Sequence, residues 1–318
     1  MKKIFSLLLL IVFGISLAGC APKSDSGKPE KAEPKKTIVI GVMPDVESIP
    51  FVIAQKNGYF KKEAVSVKLE PFKSAKDRDS ALQSGQLDGM ITDVVAVAFA
   101  NEGGIKLRIV SRNEGNIELL AGKNSGLTST AALEGKSIGL STNTIMEYTL
   151  DQMLSAGKIQ PAAVKKVAIP PLPTRFEMLE TGKIDAAILP EPLAGLAVKD
   201  GARVLNSTDQ MANKAGAIAF TAQSLAQNPE EIKAIFRAYN QAVDYMAKEP
   251  AASYIDTIIQ SQGFPAGVKD SLQLPKYKYA AAPDPKIVDS VIEWMRDKGL
   301  ITNNYTYKDL VDDSLLKE

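Results

Sequence analysis

Arg78-Asp79-Ser80-Ala81-Leu82-Gln83-Ser84-Gly85-Gln86-Leu87-Asp88-Gly89-Met90-Ile91 returns later in the same chain. It comes back as Arg175-Phe176-Glu177-Met178-Leu179-Glu180-Thr181-Gly182-Lys183-Ile184-Asp185-Ala186-Ala187-Ile188. At an offset of 97, arginine, leucine, Ser/Thr, glycine, an aliphatic residue, aspartate and isoleucine recur in order. Ile40-Gly41-Val42 and Ile138-Gly139-Leu140 match at an offset of 98. Two matches with nearly equal offsets imply two equivalent halves.

Working outward, each half alternates between strand and helix patterns. In the first half, 37–43, 65–72, 89–91 and 107–111 read as strands, and helices are expected from Ile49, over 76–84 and over 94–101. Ser48 stands as N-cap of the Ile49 helix, Pro50 near its first position and Gly58 at its stop. In the second half, 137–140, 164–169 and 186–189 read as strands, with helices over 144–156 and up to Thr181. Thr144-Ile145-Met146-Glu147 fits a capping box, and Gly157 ends that helix. Such alternation implies parallel sheets with helices on both faces. Beyond Phe220 the pattern turns helical. Asn228-Pro229 and Asp284-Pro285 open helices with apolar stripes, and Trp294 is expected to pack at a seam.

The expected fold is therefore α/β: two βαβ lobes with parallel-rich sheets joined by a hinge, plus C-terminal helices. Residues 37–118 with 219–318 form the first lobe and 119–218 the second. Hinge motion is expected near 117–122 and 215–221. A length of 318 residues suits two such domains.

Composition narrows the chemistry. Thirty-eight Lys+Arg face 37 Asp+Glu, so no basic excess draws the chain to nucleic acid. Histidine is absent, which removes Ser-His-Asp and Cys-His catalysis and the commonest metal ligand. The single cysteine permits no intrachain disulfide and no Cys-rich metal site. A binding protein without cofactor or metal is expected, and as a monomer.

The cysteine has its own place. Lys2 and Lys3 precede an apolar run from Ile4 to Leu17, too short for a comfortable membrane span. The run ends in Leu17-Ala18-Gly19-Cys20, which resembles the lipobox of bacterial lipoproteins. That resemblance implies a signal peptide over 1–19, lipid on Cys20 and anchorage outside the cytoplasm, on the outer face of the cell membrane. Residues 20–36 hold no large apolar side chain and are expected to be a disordered tether.

Val52-Ile53-Ala54-Gln55-Lys56-Asn57-Gly58-Tyr59-Phe60-Lys61-Lys62-Glu63 adds a more specific signature. With Leu133-Glu134-Gly135-Lys136-Ser137-Ile138-Gly139, the repeated Gly-x-aliphatic-Asp segments and Glu191-Pro192, it resembles the type II solute-binding proteins of bacterial ABC importers. The likeness is to the nitrate/sulfonate/taurine and thiamine-precursor (NMT1/THI5-like) branch. It implies a small-molecule solute held between lobes and a permease with its ATPase as partners. The pyrimidine synthase relatives of that branch look to need a histidine and a cysteine cluster, which this chain lacks. An exported enzyme or a ligand sensor on the same fold is the alternative.

Ligands of open α/β sheets bind beyond the carboxyl ends of strands, where helices begin. The expected ligand-binding residues are therefore Asp45, Glu47 and Ser48; Thr92 and Asp93; Asn113 in the crossing loop; Thr142, Asn143 and Thr144; and Glu191. Arg78 and Arg175, on the second helix of each half, are expected to face solvent. Asp88 and Asp185 are expected to bond local amides. Four acids (Asp45, Glu47, Asp93, Glu191) against one nearby cation, Arg112, favour a nitrogen-rich or zwitterionic solute, such as an aminopyrimidine, over a simple anion.

Overall fold

The computed structural model describes residues 36–317. The expected signal peptide over 1–19, the expected lipid site at Cys20 and all but the last residue of the expected tether lie outside the described residues. Ten strands appear in chain order: β1 Ile38–Val42, β2 Val67–Pro71, β3 Gly89–Asp93, β4 Leu107–Arg112, β5 Ile117–Ala121, β6 Ser137–Leu140, β7 Lys165–Ala168, β8 Ala186–Pro190, β9 Arg203–Ser207 and β10 Gly216–Thr221. They form two five-stranded sheets, ordered β2-β1-β3-β10-β4 and β7-β6-β8-β5-β9. The orders superpose when β1, β2, β3 and β4 are exchanged for β6, β7, β8 and β9, as the internal repeat predicts.

Alternation alone implied parallel sheets. Each sheet instead carries one antiparallel strand, β10 in the first and β5 in the second. In both cases it is the first strand after the chain crosses from the other sheet. A strand that arrives from outside has no crossover helix to reverse it, so it enters against the grain. The same finding places the segments expected to hinge, 117–122 and 215–221, beside the crossings rather than in them. Both fall in laddered strands, and the chain crosses instead over 113–116 and 208–215. Residues tied by ladder bonds on two sides cannot absorb a hinge rotation as cheaply as an unpaired connection.

Helices cover both faces. Ile49–Lys56 (α1) and Pro229–Lys248 (α7) pack together on the first sheet, with Phe51 and Tyr239 5.3 Å apart between ring centres. Ala75–Gln83 (α2) and Leu172–Glu180 (α5) are the repeated second helices. Val94–Glu102 (α3), Ile145–Ala156 (α4) and Leu193–Lys199 (α6) start at strand ends. Pro285–Asp297 (α8) lies against α3, with Val288, Val291 and Met295 fully buried on one face. Trp294 does sit at a seam: its indole N–H donates to Asp151 of α4 at 3.0 Å. Tyr148 of α4 packs edge-on to that indole, and Lys298 bridges to Glu147 at 2.6 Å. The second lobe is thus fastened to the C-terminal helix of the first through α4.

The repeated arginines correct the expectation of solvent exposure. Arg78 is 3% exposed and Arg175 is fully buried. Arg78 donates to the carbonyl of Ile91 at 2.9 Å and Arg175 to that of Ile188 at 2.8 Å. The repeated glycines make this possible. A Cβ on Gly41 would lie 2.7 Å from Leu87 and 3.2 Å from the Arg78 stem. One on Gly139 would lie 2.5 Å from Ile184 and 3.2 Å from the Arg175 stem. Each inner strand therefore leaves a notch through which the arginine reaches the tip of the neighbouring strand. Asp88 and Asp185 accept from the Val39 and Ser137 amides, at 2.9 and 2.8 Å. They join adjacent strands rather than bonding locally.

Candidate functional site

The cleft between the sheets is walled by strand tips from both lobes and by both crossings. Its cavity volume is about 70 Å³. Among the sequence-expected residues, Asp45, Glu47, Thr92, Asp93, Asn113 and Thr144 line it. Ser48, Thr142, Asn143 and Glu191 do not.

Local bonding explains each placement. Asp45 is the N-cap of a short turn over Val46–Ser48, and its carboxylate accepts from the Ser48 amide and hydroxyl at 3.2 and 3.0 Å. Ser48 stands at the N-cap of α1 as expected but makes no side-chain cap bond; its hydroxyl donates to the Met43 carbonyl and Asp45, and the residue is fully buried. Asp93 caps α3 through the Ala96 amide at 2.9 Å. Thr144 caps α4 through the Met146 amide, while Glu147 closes on Asn143 N at 2.6 Å rather than on the cap residue itself. The expected capping box is thus displaced by one residue. Asn143 takes a left-handed φ of 56° to present that amide. Glu191 turns away from the cleft and accepts from the Gly195 amide in α6 at 3.3 Å. A Cβ on Gly195 would sit 2.9 Å from a Glu191 carboxylate oxygen, so the glycine makes that pocket.

The two crossings are locked to the wall. Asn113 donates to Glu47 at 3.0 Å and to the carbonyls of Thr92 and Ala217 at 3.1 and 3.3 Å. Gly115 and Gly216 leave the room: a Cβ on either would fall 2.0 Å from Glu47 or Asn113, respectively.

The charge is concentrated on the first lobe. Burial raises Asp45 and Asp93 to about 6, against a partial opposing pull from Arg78. Burial, with Asp45 and Asp93 beside it, raises Glu47 well above the usual carboxylate range. Glu191 is pushed up to about 8 by burial and by Glu118. Arg78 also lines the cleft, with two further N–H groups donated to Asp79 at 2.9 and 3.0 Å. Lys214 lines it too, paired with Asp209 at 2.5 Å. Arg112, the expected cation, is spent on Glu114 at 3.2 Å and is not in the wall.

Sequence reading missed Arg78, Asn213 and Lys214. For Arg78 a signal existed, because a charged residue and a strand glycine recur together in both halves. Asn213 and Lys214 stand in the second crossing, which carries no repeat.

Among the described residues no group of three ligating side chains is placed to hold a metal ion, and no helix is long and apolar enough to cross a membrane.

Comparison with known proteins places this geometry. The chain resembles the alkanesulfonate-binding protein SsuA from Xanthomonas axonopodis pv. citri, solved bound to MOPS, at TM-score 0.74 and 17% identity, over 87% of this chain and 98% of that one. It resembles the periplasmic nitrate-binding protein NrtA from Synechocystis PCC 6803 at TM-score 0.73 and 16% identity, over 88% and 87%. The desulfurization enzyme DSZB shares the fold at TM-score 0.62 and 13% identity, over 89% and 98%. No curated protein matches the sequence. The family described as NMT1/THI5 like matches residues 45–253, most of the described chain. With two pseudo-symmetric α/β lobes around a strand-tip cleft, this chain belongs to the NMT1/THI5-like family and has the type II periplasmic-binding-protein fold.

Proposed function

We propose that this protein is the extracytoplasmic, lipid-anchored solute-binding component of an ABC importer. It captures a small polar organic solute between the two lobes and delivers it to the permease. The bounds of those lobes move from the expected 118/119 and 218/219 to the crossings over 113–116 and 208–215, because β5 and β10 lie whole in one sheet each. One observation carries the reading: the cleft wall draws on both lobes and on both crossings, so a molecule bound there bridges parts that the chain joins only by two short connections. Such a ligand favours the closed arrangement by whatever it gains from touching both sides. Lipid on Cys20 and the tether over 20–36 keep the receptor beside its permease.

The test joins three measurements. Native mass spectrometry of protein purified without refolding identifies a retained solute. That solute raises the melting temperature by mass action and reduces the radius of gyration in solution scattering. Cys20→Ser abolishes fatty-acid labelling and membrane retention. A tight solute with no change of shape defeats the closure, and equal labelling of the variant defeats the anchor.

The raised Asp45 and Asp93 carboxyls favour one second reading, acid–base chemistry on the bound solute by an exported enzyme. A turnover assay on the retained solute separates the two, because a receptor returns it unchanged.

A further inference from the structure

Resting on the solute-receptor reading, we infer that the solute is a small aliphatic molecule carrying an N–H cation, a primary or secondary ammonium, received by Asp45, Asp93 and Thr92 of the first lobe.

Three carboxylates share one wall of the cleft, and their structural bonds leave acceptor capacity. The Asp45 bonds run to Oδ1 and the Asn113 bond to Glu47 runs to Oε2, so one oxygen of each stays available among the described residues. A carboxylate has about four lone-pair sites for donors. Each cation of the wall already faces a carboxylate: Arg78 gives three of its five N–H groups to Asp79 and the Ile91 carbonyl, and Lys214 pairs with Asp209. With Arg78 balanced by Asp79 and Lys214 by Asp209, a sulfonate or nitrate entering here meets the remaining charge of Asp45 and Asp93.

Thr92 gives an independent sign that a polar group belongs in the cleft. It lines the cavity, is 2% exposed, and its hydroxyl oxygen has no hydrogen-bond partner. A buried hydroxyl left unpaired is unfavourable by on the order of 1–3 kcal/mol. An N–H donor between Asp93 and Thr92 would satisfy both.

The rest of the wall narrows the class. None of the lining residues is aromatic; the largest apolar side chains are Met43, Ile117, Ile145, Met146 and Leu172. Quaternary ammonium groups are recognised by aromatic cages, and flat heteroaromatics by stacking. Neither feature is present, so an N–H ammonium on an aliphatic frame fits better than choline-like or aminopyrimidine solutes. The described carboxylates are not grouped as metal ligands. On the facing wall the hydroxyls of Ser141 and Thr144 donate to the Pro170 and Ser141 carbonyls, which leaves the Thr149 hydroxyl for the far end of the solute.

The experiment is calorimetry on the full secreted chain with ethanolamine and putrescine as amines, ethanesulfonate and nitrate as anions, and taurine as the zwitterion. It is repeated on Asp45→Asn, Asp93→Asn and Thr92→Val. Asparagine caps helices as well as aspartate does, so Asp93→Asn keeps α3 capped, and a melting curve verifies folding. The expected result is binding of amine-bearing probes, weakened at least tenfold by Asp93→Asn and several-fold by Thr92→Val. Binding of ethanesulfonate or nitrate without the amines, or amine binding unchanged in both aspartate variants, overturns the inference. Native mass spectrometry separates the two failures. A retained solute without an N–H cation overturns the inference and leaves the receptor reading standing; silence of the whole panel with no retained solute defeats both.

Discussion

Arg78 and Arg175 occupy the same place in two copies of one design, yet their surroundings differ in charge. Both thread past a strand glycine to a strand-tip carbonyl. Around Arg78 stand Asp45, Asp79 and Asp93. The repeat offsets put Asn143, Phe176 and Pro190 at the matching positions around Arg175. Burial alone would lower Arg78, but those three acids hold it above its ordinary value. Burial lowers Arg175 to about 10, where its bonds go to the Ile169, Ile188 and Pro170 carbonyls and to the Ser141 hydroxyl. The shared part of the site is therefore scaffold, an arginine that reaches past the strand glycine to the tip of the central strand of its sheet. The unshared part, the acid cluster, exists only on the first lobe. This cluster of buried carboxylates, which the second copy does without, is what the proposed solute site rests on.

The largest expected effect tests that contrast directly. Arg78→Leu should destabilise the protein at pH 8 by about 3–5 kcal/mol, because it strands buried carboxylates. Arg175→Leu should lose only about 1–3 kcal/mol, since it leaves carbonyls unpaired but removes a buried charge. The gap should shrink toward pH 5, as Asp45 and Asp93 take up protons near 6 and Glu47 is already biased toward its neutral form. Urea denaturation at both pH values measures it; equal, pH-independent losses would break the comparison.

Next come the notches that the lobes share. Gly41→Ala and Gly139→Ala should each lower stability by roughly 1–3 kcal/mol, because each Cβ crowds a buried side chain on one side and an arginine stem on the other. Similar losses sharpen the claim of a common scaffold, and a neutral result at one glycine would place its arginine elsewhere.

Asp93→Asn should act in the opposite direction on the ligand-free protein. Folding raises the Asp93 pKa from 3.8 to about 6. The folded state therefore holds that proton more tightly. Its contribution is fully present below about pH 4 and is lost as pH rises through about 6. Removing the charge should stabilise the empty protein at pH 8 by about 1–3 kcal/mol, since a pKa that differs by one between the folded and unfolded chain corresponds to about 1.4 kcal/mol. Differential scanning calorimetry at pH 4 and pH 8 reads this as a gain confined to the higher pH. A stability gain together with weaker solute binding marks a residue kept for function.

The smallest effect concerns the seam that joins the lobes. Lys298 is about a third exposed where it meets Glu147, so Lys298→Ala should lower stability by only ~0.5 kcal/mol. Its more informative readout is the radius of gyration of the empty protein, which rises if this pair helps hold the second lobe against α8.

The sequence by itself determined the duplication, the order of strands and helices within each half, and hence two α/β lobes with polar loops at their strand tips. Those features are local: periodicity, caps and turn residues act within a few positions of one another. Only the tertiary structure decided which side chains meet. Arg78 and Arg175 look like surface residues on polar helices, and only the glycine notch of a neighbouring strand, about 37 residues away in each half, brings them inside. Glu191 looks like a cleft residue, and the space above Gly195 turns it away. The two antiparallel strands break the alternating pattern because they follow crossings, and a crossing leaves no period in the sequence. A side chain's destination depends on the volume and charge left by residues distant in the chain, so the repeat marked where the cleft is and which loops carry its acids, while only the fold removed Glu191 and left the second wall neutral.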